Sequence, residues 1–242
     1  MVQFSMSDGI AELTLDRPER RNAICSADIA RIIQLLPKLE SARVVVLSGL
    51  PPSFCAGSDL KELGALDIAG MVGHENATAA MVRHLALITT PVVAAVEGHA
   101  LGGGFILAAS CDLVVTAETA KWGLPEVPNG WLPPWGLKVL CNRTGPVTAQ
   151  RLTWGFETLD GREAMRLGVA DYCVPEGAAL DRARAVAAQL AALPETAVRS
   201  TKAFFQTTLM DKAEIWDAEA SRRFARDCES SEARQTLARF AR

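Results

Sequence analysis

Three consecutive glycines, Gly102-Gly103-Gly104, separate one apolar run, Pro91 to Val96, from another, Phe105 to Ala109. Upstream, a comparable break, Phe54-Cys55-Ala56-Gly57-Ser58-Asp59, follows the apolar run Arg43 to Leu47. A glycine-rich entry into a helix leaves backbone N–H groups with no intrahelical partner. Two such entries converging on one carbonyl oxygen can stabilise negative charge as it develops there, which is what enolate chemistry requires. Either segment alone also fits a plain turn or close helix–strand packing. The pair together points to chemistry.

A proton-transfer group is sought next. Glu126 lies in Trp122-Gly123-Leu124-Pro125-Glu126-Val127-Pro128, an apolar setting unusual for a solvated carboxylate. Burial would raise its pKa and suit it to acid–base work near neutrality. Glu97 ends a strand-like run and fits a structural hydrogen bond as well as a catalytic one. His74, His84 and His99 read as structural, and Asp59 as the cap of a following helix. Neither a G-x-G-x-x-G fingerprint (position 107 is leucine), a P-loop lysine, a G-x-S-x-G elbow nor a zinc-protease helix is present. No residue set with metal-ligand spacing emerges.

The elements that must position these groups follow from periodicity. Residues 2–15 alternate around Ser7-Asp8-Gly9 as a hairpin. A helix begins near Ser26, with Ile29, Ile32, Ile33, Leu35 and Leu36 on its apolar side, and is disturbed at Pro37. Strands are expected at 43–47, 91–96, 111–116 and 169–174. Short helices are expected at 59–65, 137–140, 148–153 and 162–167, and a longer helical pattern leads through Met81, Leu85 and Ile88. Residues 66–77 show the weakest pattern and read as a mobile segment. Trp122 to Trp135, rich in Gly, Pro and Trp, reads as irregular chain held by aromatic packing. From Asp181 onward the composition shifts to Ala, Arg and Glu with helical period, to the chain end. The alternation of strands and helices gives an α/β core with an all-helical appendage.

Composition narrows the class. A chain of 242 residues that is 49% hydrophobic buries a full core as one large domain, or one domain plus a short appendage. A net charge of −3 without a long basic run excludes nucleic acid as the main partner, while Arg17, Arg20 and Arg21 form a local cluster that suits a phosphate. Six cysteines without a Cys-x-x-Cys pair read as reduced thiols packed like small apolar side chains. The sequence shows no secretory signal pattern and no membrane-length apolar run, so a cytoplasmic enzyme is expected.

Taken in order, these segments resemble the crotonase (enoyl-CoA hydratase/isomerase) family over nearly the whole chain. The resemblance is carried by Leu15-Asp16-Arg17-Pro18 through Asn22-Ala23, by Ser48-Gly49 through Phe54-Cys55-Ala56-Gly57-Ser58-Asp59-Leu60-Lys61-Glu62-Leu63, by Gly98-His99-Ala100-Leu101-Gly102-Gly103-Gly104 through Cys111-Asp112-Leu113, and by Trp122-Gly123-Leu124-Pro125-Glu126. It implies a spiral α/β core of repeated ββα units over residues 1–180 and a helical region over 181–242 that builds a trimer or a dimer of trimers. It implies an oxyanion hole from the N–H groups of Ala56 and Gly103, with Glu126 as the acid–base group. The backbone near Ala56, Ser58 and Leu60 would hold the adenine of coenzyme A. The full set of expected substrate contacts is Arg21, Ala23, Ala56, Ser58, Asp59, Leu60, Gly102, Ile106, Trp131 and Pro134. Coenzyme A enters as part of the substrate, and no other cofactor or metal is expected.

Two departures bear on the reaction. Ile106 stands where hydratases carry a second glutamate, and Pro134, which lacks an N–H, stands where they carry glycine. Water addition needs one group to activate water and another to deliver a proton, whereas moving a double bond needs only one carboxylate. The expected activity is therefore hydratase/isomerase in class, with isomerisation favoured over hydration. A thioester hydrolase, a decarboxylase or C–C lyase, and a non-catalytic acyl-CoA-binding protein are the alternatives.

Overall fold

The computed structural model describes residues 1–240. Strands β1 (Val2–Ser7) and β2 (Ile10–Leu15) form the expected antiparallel hairpin. Asp8 and Gly9 turn it with φ of 52° and 77°. The remaining strands are β3 (Val44–Gly49), β4 (Val92–Val96), β5 (His99–Leu101), β6 (Leu113–Ala117), β7 (Lys121–Gly123) and β8 (Tyr172–Val174). One sheet runs β1-β2-β3-β4-β6-β8 and is parallel from β2 onward, while β5 and β7 make a separate parallel pair. The helices are α1 (Ser26–Glu40), α2 (Leu60–Leu63), α3 (Ile68–Leu87), α4 (Gly103–Ala109), α5 (Glu126–Asn129), α6 (Leu137–Thr144), α7 (Pro146–Thr153), α8 (Gly161–Arg166), α9 (Ala179–Ala191), α10 (Glu195–Leu209), α11 (Ala213–Asp227) and α12 (Ser231–Phe240). This is the α/β architecture that the alternating pattern predicts. The expected helical run to the chain end includes residues 241–242, which lie outside the described residues.

The central strands are apolar throughout because both faces of the sheet are covered. Side chains alternate, so Val45, Leu47, Val92, Ala94, Val96 and Val114 enter the larger core with α1, α3 and α4. Their neighbours Val44, Val46, Val93, Ala95 and Val115 face α9, which meets them with Ala179, Ala183, Val186 and Ala187 at helical spacing. Each fully buried valine or leucine contributes about 1.5–3 kcal/mol.

Two expectations are corrected, and the expected disturbance at Pro37 is delimited. Residues 66–77, expected to be mobile, belong largely to α3, a helix of 20 residues capped by Asp67, whose side chain accepts the Gly70 N–H. Its buried stripe carries His74, Glu75 and Thr78 among Met71, Ala79, Val82 and Leu85, and these polar residues hide the apolar period. Pro37 does not end α1, which continues to Glu40. Pro37 and Ile33, whose carbonyl loses its helical donor, both lie on the exposed side, where water can take the donor's place. The segment Trp122 to Trp135 is not wholly irregular, since it contains part of β7 and all of α5. Aromatic packing does hold it: Trp122 sits edge-on to Phe105 at 5.2 Å, and Trp131 to Phe224 at 6.2 Å.

The C-terminal helices fold back over the core. Lys202 of α10 reaches the Thr90 carbonyl and Asp112, while α11 packs on α3 and α6 and α12 on α2 and α5. All six cysteines are free thiols, and burial pushes Cys55 and Cys111 up to about 12, the behaviour of inert packing groups. Among the described residues no helix is long and apolar enough to cross a membrane.

Candidate active site

The two glycine-rich entries meet. Cys55 bridges Ala100 in a parallel arrangement: its N–H donates to the His99 carbonyl at 2.9 Å and its carbonyl accepts the Leu101 N–H at 3.0 Å. Gly57, at φ 90°, lies so close to the other entry that a Cβ there would stand 2.9 Å from the Leu101 carbonyl and 3.1 Å from the Gly103 nitrogen. Gly102, at φ 53°, faces Glu126 so closely that a Cβ would lie 2.8 Å from its Oε1. A side chain at either position would push the entries or the carboxylate apart.

Which N–H groups are free follows from the bonding around Gly57. The Ala56 N–H donates to the Arg21 carbonyl at 3.0 Å, so it is committed and cannot meet an oxyanion. This corrects the expected pairing of Ala56 with Gly103. Ile24 donates to the Gly57 carbonyl at 2.8 Å and accepts the Asp59 N–H at 2.9 Å, forming a bridge opposite Ser58. In such a bridge the flanking residues supply the bonds, and the Ser58 N–H points to the other side. Gly103 is the first residue of α4, where an N–H has no partner within the helix. Among the described residues neither N–H has a backbone acceptor. Ser58 and Gly103, one from each glycine-rich entry, therefore each keep an open donor.

Both line a cavity of about 60 Å³. Ala56, Leu60, Gly102, Ile106, Glu126, Trp131 and Pro134 line it too, so most of the expected site residues are brought together. Arg21, Ala23 and Asp59 are not on its wall. Arg21 holds Ala56 through its carbonyl, and the Ala23 carbonyl accepts Arg17 Nη1 at 2.8 Å. Asp59 caps α2 by accepting from Lys61 and Glu62, and binds Arg17 Nη2 at 2.8 Å. Arg17 is thereby occupied, while Arg20 and Arg21 are exposed. Glu97 and His99 stay outside the cavity: Glu97 accepts the Ala179 N–H at 2.9 Å, and His99 pairs with Ser53 at 3.1 Å.

Glu126 opens α5 and is only 9% exposed, with no hydrogen-bond partner for its Oε2. Burial pushes its carboxyl up to about 8; a hydrogen bond from its own N–H offsets part of this, and the charge of Glu75 adds to the rise. Ile106 presents its alkyl group to the cavity, as its position in the sequence predicts.

Sequence reasoning missed Glu75. It is 5% exposed, lies on α3, lines the same cavity, and its Oε2 accepts the Trp135 indole N–H at 2.7 Å. The available signal was its place in the stripe Met71-Glu75-Ala79-Val82, where an apolar residue belongs. The rest of the wall is apolar or uncharged, with Leu63, Pro125, Pro133 and Trp135 among it, and among the described residues no lysine, arginine or histidine lines it. Two open donors, an apolar wall and two buried carboxyl groups suit proton transfer next to a polarised carbonyl.

A family model described as Enoyl-CoA hydratase/isomerase matches residues 5–241. The chain is 34% identical over 205 residues to the enoyl-CoA hydratase domain-containing protein 2, mitochondrial, of Bos taurus, covering 81% of this chain and 69% of that one. It is 34% identical over 207 residues to the enoyl-CoA isomerase/hydratase fer4 of Mycosarcoma maydis, covering 80% and 76%. A solved enoyl-CoA hydratase/isomerase from Mycobacterium paratuberculosis superposes with a TM-score of 0.89 at 25% identity, over 98% of this chain and 97% of that one. The likeness in fold thus extends through the C-terminal helices.

Proposed function

This chain belongs to the enoyl-CoA hydratase/isomerase (crotonase) family, and on that premise we propose that it moves protons on the acyl group of a coenzyme A thioester, shifting a double bond in preference to adding water. One observation carries this reading: among the described residues two N–H groups without a backbone acceptor, of Ser58 and Gly103, line one cavity with Glu126, whose Oε2 has no hydrogen-bond partner. In the proposed reaction the thioester oxygen accepts both N–H groups. Glu126 takes the Cα proton, and the electron pair of that bond moves toward the oxygen, giving an enolate that the two donors stabilise only as charge develops. Returning a proton at another carbon relocates the double bond.

At Ile106 an approaching water finds no acceptor and at Pro134 no donor, so hydration would depend on Glu75, whose Oε2 already accepts the Trp135 N–H. A cavity of about 60 Å³ suits a short acyl group, with the nucleotide of coenzyme A outside it. The exposed Arg20 and Arg21, on the turn bonded to Ala56, supply charge for its phosphates. The apolar faces of α10 and α11 make the protein a homo-oligomer, a trimer or a dimer of trimers.

But-3-enoyl-CoA, whose C2 protons are acidic, is incubated in heavy water to read proton exchange and crotonyl-CoA to read hydration, both followed by mass spectrometry. The expected result is deuterium in the acyl chain at a rate well above that of hydration. Rapid formation of 3-hydroxybutyryl-CoA would assign the protein to the hydratases instead, and release of free coenzyme A to the hydrolases.

A further inference from the structure

We propose that Glu75 is a second acid–base group of this site, serving the far carbon of the acyl group, Cγ, while Glu126 serves Cα. The proposal rests on the enolate reading above and deepens it.

Placement separates the two carboxyl groups along the cavity. Glu126 lies directly against the glycine entry, with its Oε1 2.8 Å from where a Gly102 Cβ would be. Glu75 lies beside the indole of Trp135: Cζ2 of that ring is 3.0 Å from where a Gly103 Cβ would be, and the neighbouring indole N–H holds Glu75 Oε2 at 2.7 Å. An acyl group bound by its carbonyl at Ser58 and Gly103 is then flanked by Glu126 on the Gly102 side and by Glu75 on the Trp135 side. A carboxyl group on the buried stripe of a helix is costly, and one hydrogen bond offsets only part of that cost. The Trp135 N–H is its one recorded side-chain partner, no cation lines the cavity, and its charge is felt at Glu126.

The step balances with one proton held by the pair, and the reactive form is the one that carries it on Glu75. For but-3-enoyl-CoA, the Glu126 carboxylate removes a proton from C2, and the electrons of that bond flow into the thioester to give a dienolate. As the charge returns from oxygen, C2=C3 forms and the π electrons of C3=C4 take the proton of the Glu75 carboxylic acid at C4. Glu126 is left protonated and Glu75 ionised. Passage of one proton between them, directly or through water, restores the starting state.

The test uses but-3-enoyl-CoA in heavy water, with deuterium at C2 and C4 and the formation of crotonyl-CoA followed separately in the intact protein. Glu75→Gln keeps an acceptor for the Trp135 N–H and a similar volume. It is expected to slow bond migration and C4 labelling by ~10²–10⁴-fold while C2 labelling falls far less. Glu126→Gln is expected to abolish both. Trp135→Phe removes the anchor while leaving the carboxyl group. If it reproduces Glu75→Gln with C2 and C4 labelling falling together, Glu75 only supports the wall and the proposal fails. It fails as well if Glu75→Gln migrates the bond at the wild-type rate, although the enolate reading then survives. Absence of C2 labelling in the wild-type protein would instead remove the enolate reading itself, and this inference with it.

Discussion

Burial of Glu126 acts on both stability and rate, through a carboxyl group whose folded pKa is near 8 against 4.5 when solvated. A raised pKa means that the folded state holds a proton the unfolded state gives up. The associated stability is fully present below about pH 4.5 and is lost as pH rises through about 8, by at most ~1.4 kcal/mol per pH unit. Removal of the Cα proton has the opposite dependence, because only the carboxylate can accept it. C2 labelling should rise roughly tenfold per pH unit below about 8 and level off above it, while the melting temperature declines over the same interval. Glu126→Gln should flatten the decline and abolish labelling; a variant whose melting temperature still declined as steeply would place the titrating group elsewhere. The burial of Glu126 was legible because its sequence neighbours are apolar. The open N–H in the Phe54–Asp59 segment was not. At φ 90°, Gly57 reverses the usual alternation, so that the Ala56 N–H and the Gly57 carbonyl both bond to the 21–24 segment and Ser58 faces away. A motif names those three residues without saying which of them faces the cavity.

At the scale of elements, strands were easier to read than the helix that shapes the cavity. The parallel strands show as apolar runs because both of their faces are buried, and the hairpin shows by alternation. The first half of helix α3 was missed, although its second half showed through Met81 and Leu85, because the buried stripe there includes a histidine and a glutamate that lines the cavity. The wall opposite is held from α11. Asp217 Oδ1 accepts the Gly136 N–H at 2.8 Å, next to Trp135, and its other oxygen pairs with Arg83 of α3. Asp217→Ala would leave a buried N–H without an acceptor and a largely buried guanidinium without its partner. A loss of about 3–5 kcal/mol is expected, read as a lower denaturation midpoint. Because Trp135 then loses its fixed position, turnover should fall in the protein that remains folded. An unchanged midpoint would show that the Trp135–Gly136 segment is held by packing alone.

For the whole molecule, the C-terminal helices present more apolar surface than one chain covers. Phe204 is 73% exposed and Phe205 56% on α10, with Ile215 at 67% and Trp216 at 43% on α11. Phe204 and Phe205 stack edge-on to each other at 5.4 Å, forming a ridge of their own. Single exposed apolar residues are ordinary, whereas paired exposed aromatics such as these are the surface expected of an interface. Of these two helices α11 also carries inner contacts that hold the cavity wall, Asp217 to Gly136, Asp227 to Leu132 and Phe224 to Trp131. Covering the outer side of α10 and α11 with a second copy would restrain their inner side. Phe204→Asp combined with Phe205→Asp should therefore convert the oligomer to monomer, as measured by light scattering at micromolar concentration. It should also raise KM through the loosened wall of Trp131 and Trp135, although neither substitution lies in the cavity. If the wild-type protein is itself a monomer under those conditions, this ridge is not a self-interface. If the variant is monomeric with unchanged kinetics, the cavity is complete within one chain and the coupling through α11 is absent.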